Sequence, residues 1–143
     1  MSDIRLFVAV KAFIMREGKL LMLREASTYQ DGTNLAKYDL PGGRIEPQEK
    51  LEEALAREVK EEISCVVQKS QAFAAGEWWP KKNGELWHIC GIYYAVKIAD
   101  DHKISLSGDH DGYVWADIDN PPDNTIEMWR PVLAQHAAFL KSF

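Results

Sequence analysis

Gly42–Ser64 reads GGRIEPQEKLEEALAREVKEEIS, and the position of its acids decides what kind of molecule this is. A glycine turn leads into strong helix formers with no internal Gly or Pro, so a helix is expected over Glu49 to Ile63. Acidic residues on a helix ordinarily mark a solvated face. With each residue advancing about 100° from Leu51, the residues Leu55, Val59 and Ile63 fall at about 40°, about 80° and about 120° and form the inward stripe. Glu52, Glu53 and Lys60 lie between about 100° and about 200°, partly or wholly outside it, where water is expected. Glu58 and Glu62 instead land at about 340° and about 20°, flanking Leu51, with Glu61 at about 280° beside them.

Two carboxylates in the inward sector are costly to bury unpaired, and like charges four residues apart repel. Something positive must offset that cost. A hard divalent cation is the economical choice, because Mg²⁺ takes a few carboxylate oxygens together with waters and substrate phosphates. An arginine salt bridge is the alternative. Arg57, at about 240° on the same count, is expected to aim at the preceding turn rather than across the three acids.

Outward from this stretch, Ile4 to Met15 and KLLMLR (residues 19–24) read as two strands joined at Glu17-Gly18. EASTYQDGTNLAKY, from Glu25 to Tyr38, is a polar loop long enough to serve a substrate side. Leu40-Pro41-Gly42-Gly43 is expected to stop any regular element. Downstream, Cys65 to Trp79 and Glu85 to Ile98 read as strands joined by PKKNG, with Asn83-Gly84 as the turn. YVWADI (residues 113–118) reads as a further strand, and a helix is expected over Glu127 to Leu140. No repeat or linker composition divides residues 1–143, so one domain is expected, a mixed sheet with helices packed on it.

The net charge of -5 argues against a sequence-independent grip on duplex nucleic acid, which depends on Lys and Arg neutralising phosphates. Cys65 and Cys90 sit singly in apolar runs, so buried thiols in a reducing compartment are expected rather than a disulfide framework. The N-terminal MSDIRLFVAVKAFIM shows no basic leader and is too short to span a bilayer, so the chain reads as cytoplasmic with no membrane partner.

Gly43 to Cys65 resembles the Nudix box, written G-x5-E-x7-R-E-U-x-E-E-x-G-U with U a bulky aliphatic residue. Gly43, Glu49, Arg57, Glu58, Val59, Glu61 and Glu62 match. Ser64 stands where the box has its last glycine, followed by Cys65, which puts the helix exit in question more than the acids. The resemblance implies an α/β fold, the Nudix α/β/α sandwich with a mixed sheet. It implies a divalent-metal-dependent hydrolase that cleaves a phosphoanhydride in a nucleoside diphosphate linked to another moiety. Glu58 and Glu62 would be the main Mg²⁺ ligands, with Mn²⁺ the alternative ion; Glu61 would assist, and the Gly42 carbonyl would add an oxygen. Glu49 and Arg57 would pair as structural support.

The general base is open on this resemblance: a box glutamate such as Glu58, or an acid on a distant loop. In SGDHDGYVW (residues 107–115), Asp109 is the first candidate for a base or additional ligand, against a plain polar turn. Arg24 is a candidate phosphate donor, against a surface arginine. One or two of Trp78, Trp79, Trp87 and Trp115 are candidates to stack on a base. His88, His102 and His136 show no partner spacing. Pro80, fifteen residues after Cys65, leans the substrate toward ADP-ribose or a nucleotide sugar. The alternatives are a nucleoside triphosphate pyrophosphohydrolase and a non-catalytic nucleotide sensor, the latter disfavoured because all four box acids are present. Nudix proteins of this size often form homodimers, but no interface is legible here.

Overall fold

The computed structural model describes residues 3–29, 32, 34–99 and 103–143; His102 and part of the 25–38 loop lie outside them. Its order is β1 (Arg5–Arg16), β2 (Lys19–Glu25), β3 (Tyr38–Asp39), β4 (Gly42–Arg44), α1 (Leu51–Ile63), β5 (Val67–Trp78), β6 (Lys81–Lys82), β7 (Glu85–Ile98), β8 (His110–Asp117) and α2 (Trp129–Ser142). β1 is the hinge of the mixed sheet. One of its edges runs parallel to β7 from Arg5 to Ile14, and β5 pairs antiparallel on β7's far side. Its other edge is divided: β2 pairs only at Met15↔Leu20 and Arg16↔Lys19, then leaves to pair with β3 and β8.

The gap left by β2 is filled by the glycine turn. Ala12 N–H donates to the Pro41 carbonyl at 2.8 Å, and β4 pairs with β1 at Lys11↔Gly42, Val10↔Gly43 and Ala9↔Arg44. The expectation that Leu40–Gly43 ends regular structure is therefore corrected: Gly42 and Gly43 are strand residues. Gly42 has φ +149, and a Cβ there would lie 2.1 Å from the Val10 carbonyl oxygen, so only glycine lets the two backbones approach.

Strand alternation sorts the apolar residues into two layers. Val10, Ala12 and Ile14 join Leu55, Val59, Ile63, Tyr94 and Val96 beneath α1. Phe13 and Met15 join Tyr93, Ala95, Trp129, Leu133 and Leu140 beneath α2. The turns at Glu17-Gly18 and Asn83-Gly84 both have positive φ (52° and 76° in each), the pattern of tight hairpin turns. None of the described helices is long and apolar enough to cross a membrane.

Helix α1 ends on Ser64 at φ 60°, ψ 33°, the left-handed exit that glycine takes most easily. The chain supports serine there. Ser64 N–H donates to Lys60 O, and Ser64 Oγ donates to the Ser105 carbonyl at 3.3 Å. The same segment bonds back to the helix, with Ser105 N–H donating to Ile63 O and Ser107 N–H to Glu62 O, both at 3.0 Å. These bonds satisfy two of the helix's last carbonyls.

Candidate active site

The β1–β4 pairing delivers the glycine turn to the side of α1 that carries the acids. Gly42 N–H donates to Glu62 Oε2 at 2.9 Å. At Gly43 a Cβ would fall 2.5 Å from Glu58 Oε1, so the missing side chain is the space in which that carboxylate lies. The two inward acids expected from the helical count are thus packed against backbone, while Glu52, Glu53 and Lys60 are exposed.

Their electrostatics follow from that packing. Burial pushes the Glu62 carboxyl up to about 8, against the opposing influence of the Lys11 charge and the Gly42 N–H. Burial also raises Glu58, opposed by its bond to Arg57. Glu61 is more open, its side chain 58% exposed. The donors gathered here are carboxylate oxygens and a strand backbone, a set suited to a hard divalent cation and unsuited to a soft one.

Arg57 departs from its expected aim. Its Nε and Nη2 donate to Glu49 at 2.7 and 2.9 Å, and Nη2 also reaches the Arg44 carbonyl, all toward the preceding turn as anticipated. Its Nη1, however, donates to Glu58 Oε1 at 2.9 Å and approaches Glu61 at 3.4 Å. One guanidinium has enough donors for both jobs. Bonding to Arg57 holds the Glu49 carboxyl down at about 2, and Glu49 in turn accepts from Glu46 N–H, fixing the loop before the helix.

Beside the acids opens a cleft of about 220 Å³, lined by residues that include Lys11, Asp39, Gly43, Arg44, Trp78, Pro80, Lys82, Trp87 and Trp129. Trp129 Nε1 donates to Asp39 Oδ1 at 2.7 Å, and Lys11 Nζ donates to the Leu40 carbonyl at 3.2 Å and lies 3.5 Å from Asp39 Oδ2. Arg44 and Lys82 stand over the Trp87 ring at 4.7 and 5.6 Å. Of the four tryptophans considered from sequence, Trp78 and Trp87 line this cleft. Trp79 stacks on His88, and Trp115 lies under Arg16.

Arg24 is engaged elsewhere: its Nε donates to Asp111 Oδ1 at 2.6 Å, both side chains about two-fifths exposed. Asp109 is exposed, and its carbonyl accepts from Ala26 N–H. Its loop is fastened near the acids through the Ser107–Glu62 bond. Beside it His110 is lowered by burial, and its Nδ1 and Ser107 Oγ are buried with no hydrogen-bond partner among the described residues.

Lys11, Asp39, Arg44 and Trp129 escaped the sequence reading. Lys11 left a signal, a charge in the middle of an apolar strand whose neighbours alternate inward. Asp39 and Trp129 left none, since their pairing joins segments 90 residues apart.

The NUDIX domain family model matches residues 5–136. The CTP pyrophosphohydrolase of Escherichia coli is 28% identical over 112 residues, 78% of this chain and 76% of that protein. Among solved structures, a MutT NUDIX hydrolase from Burkholderia pseudomallei superposes with a TM-score of 0.76 at 23% identity, covering 92% of this chain and 98% of that one. A MutT protein from Methanosarcina mazei superposes with a TM-score of 0.74 at 24% identity, over 97% and 98% of the two chains.

Proposed function

The chain belongs to the Nudix family of hydrolases, and from that premise we propose that it hydrolyses a phosphoanhydride of a single nucleotide, a nucleoside triphosphate first, using the acids of α1 to hold a divalent ion. The observation that carries this reading is the packing of Glu58 and Glu62 against the Gly42–Gly43 strand, whose Gly43 also lines the cleft walled by tryptophan and cations. Family members use divalent metal ions. Here Glu58, Glu62 and the Gly42 carbonyl would hold Mg²⁺, or Mn²⁺ in its place, with Glu61 assisting. Such an ion supplies a polarised water and neutralises phosphate charge.

The remaining work falls to the protein's own groups. Lys11, Arg44 and Lys82 attract and orient the phosphate chain, the latter two held over the Trp87 ring, and Trp78 offers its ring to the base. Asp109, on the loop tethered to the end of α1, takes the proton as water attacks phosphorus in line and the bridging oxygen leaves; Glu58 and Glu61 are the alternative acceptors. Glu49 keeps Arg57, and through it the helix start, in place. Arg24 would reach phosphate only by leaving Asp111.

The triphosphate is placed first on the similarity to a CTP pyrophosphohydrolase, 28% identical over 112 residues. Pro80 in the cleft wall supports a second reading, ADP-ribose or a nucleotide sugar. The test is a panel of nucleoside triphosphates, ADP-ribose, sugar nucleotides and dinucleoside polyphosphates incubated with Mg²⁺, with products resolved by chromatography. Monophosphate plus pyrophosphate from a triphosphate is the expected result. Tight binding of a nucleotide with no turnover of any compound would make the chain a sensor and overturn the reading.

A further inference from the structure

On the face of the β5–β7 ladder opposite the tryptophan cleft, three side chains of different chemistry converge. His88 and Cys90 are two apart on β7 and so share a face, and Glu77 is the direct partner of Cys90 across the ladder. His88 Nε2 lies 2.8 Å from Glu77 Oε2 and 3.8 Å from Cys90 Sγ. All three donor atoms fall within 4.8 Å of one another. The residues between and beside them, Trp78, Trp87 and Ile89, line the cleft on the other face, so the cluster lies across the sheet from that cleft, on the side that α1 covers farther along β1 and β7.

We propose that Glu77, His88 and Cys90 form a second metal site, one that takes a borderline divalent ion, zinc first. The donor set is the argument. A thiolate, an imidazole and a carboxylate suit zinc and are a poor match for Mg²⁺, which prefers oxygen alone. Bonds of about 2.0–2.3 Å at tetrahedral angles bring such donors roughly 3.3–3.6 Å apart, so the present spacings need adjustments of up to about 1.5 Å. The surroundings favour the arrangement. The Trp79 ring stacks on the His88 ring at 4.7 Å and 16°, which fixes the imidazole plane. Leu6 and Val8 of β1 stand in register beside His88 and Cys90 and bring no competing donor.

Three protein ligands leave a fourth position for water, and the half-buried His88 and Cys90 with an exposed Glu77 allow the ion to enter. On binding, the Cys90 thiol gives its proton to solvent, and thiolate and carboxylate together balance the ion's charge. The site would clamp the two strands whose opposite face binds substrate.

The test uses tag-free protein titrated with Co²⁺, which in place of zinc gives a thiolate-to-cobalt charge-transfer absorption that all-oxygen sites cannot give. One equivalent is expected to produce the band, and zinc to abolish it. Cys90→Ser should remove it, and His88→Gln and Glu77→Gln should each weaken binding by more than about a hundredfold, beyond what second-sphere changes cost. Cys65→Ser, at the buried thiol in the link between α1 and β5, should leave it intact. Circular dichroism checks that each variant is folded, and Glu77→Gln alone carries the test if the β7 variants are not. Absence of the band in the wild type, its persistence in Cys90→Ser, or its loss only in Cys65→Ser would overturn the proposal. None of these results bears on hydrolysis at α1.

Discussion

Glu62→Gln separates what the carboxylate costs the fold from what it does for metal. The Glu62 carboxyl is pushed by burial from an ordinary 4.5 to about 8. A carboxyl whose folded value is raised penalises the folded state as pH climbs from the unfolded value toward the folded one. The penalty is absent below about pH 4.5, grows with pH, and is complete above about pH 8. At pH 7 it amounts to at most about 3 kcal/mol. Glutamine keeps the shape and an oxygen for the Gly42 N–H while removing the charge. In chelator, the variant is therefore expected to be more stable than wild type by on the order of 1–3 kcal/mol at pH 7–8, about 3–10 °C in Tm, with the gap closing near pH 5. In Mg²⁺ at a hundredfold over its Kd the wild type should gain about 2.7 kcal/mol and the variant little. Urea unfolding across this pH range, with EDTA or with Mg²⁺, reads both effects. A variant less stable than wild type in EDTA at pH 8, or one that gains equally from Mg²⁺, would refute the reasoning.

Arg57→Ala should lower hydrolytic activity by about 10–100-fold, as loss of a group that positions metal ligands does. It should also remove an acid-side contribution: Glu49, held down at about 2, stabilises the fold above its ordinary value and loses that contribution as pH falls toward 2, so acid unfolding of the variant should show a weaker Glu49 component. Trp78→Ala should raise KM about tenfold with kcat little changed, because stacking holds ground and transition states alike; a fall in kcat with unchanged KM would contradict that role. Ser64→Gly relieves a left-handed residue but loses the bond to Ser105, so it should sit within about 1 kcal/mol of wild type, whereas Ser64→Ala keeps the strain and should be about 1 kcal/mol less stable than Ser64→Gly in chemical denaturation.

The helix and its acids were legible because they follow from local periodicity: Leu55, Val59 and Ile63 are buried and Glu52, Glu53 and Lys60 exposed as the angular count requires. The long strands were legible for the same reason, β7 to its ends at Glu85 and Ile98. What local reading missed is non-local. β1 and β2 follow one another through a tight turn, yet they separate after two pairs because Pro41–Arg44 claims the same edge of β1. A glycine pair that looks like a break is a strand because of what Val10 and Lys11 present to it. Arg57 serves both the turn and the acids because a guanidinium reaches farther than its angular position suggests. The cleft's Lys11–Asp39–Trp129 set forms only when β1, β3 and α2 meet.

Binding of Mn²⁺, followed by the loss of its free-ion paramagnetic resonance signal, addresses the α1 acids directly. The wild type should bind the ion and release it to excess Mg²⁺, and Glu58→Gln and Glu62→Gln, though folded, should each weaken that binding by more than about a hundredfold. Undiminished Mn²⁺ binding in both variants would mean that the carboxylates buried against Gly42 and Gly43 do not hold the metal.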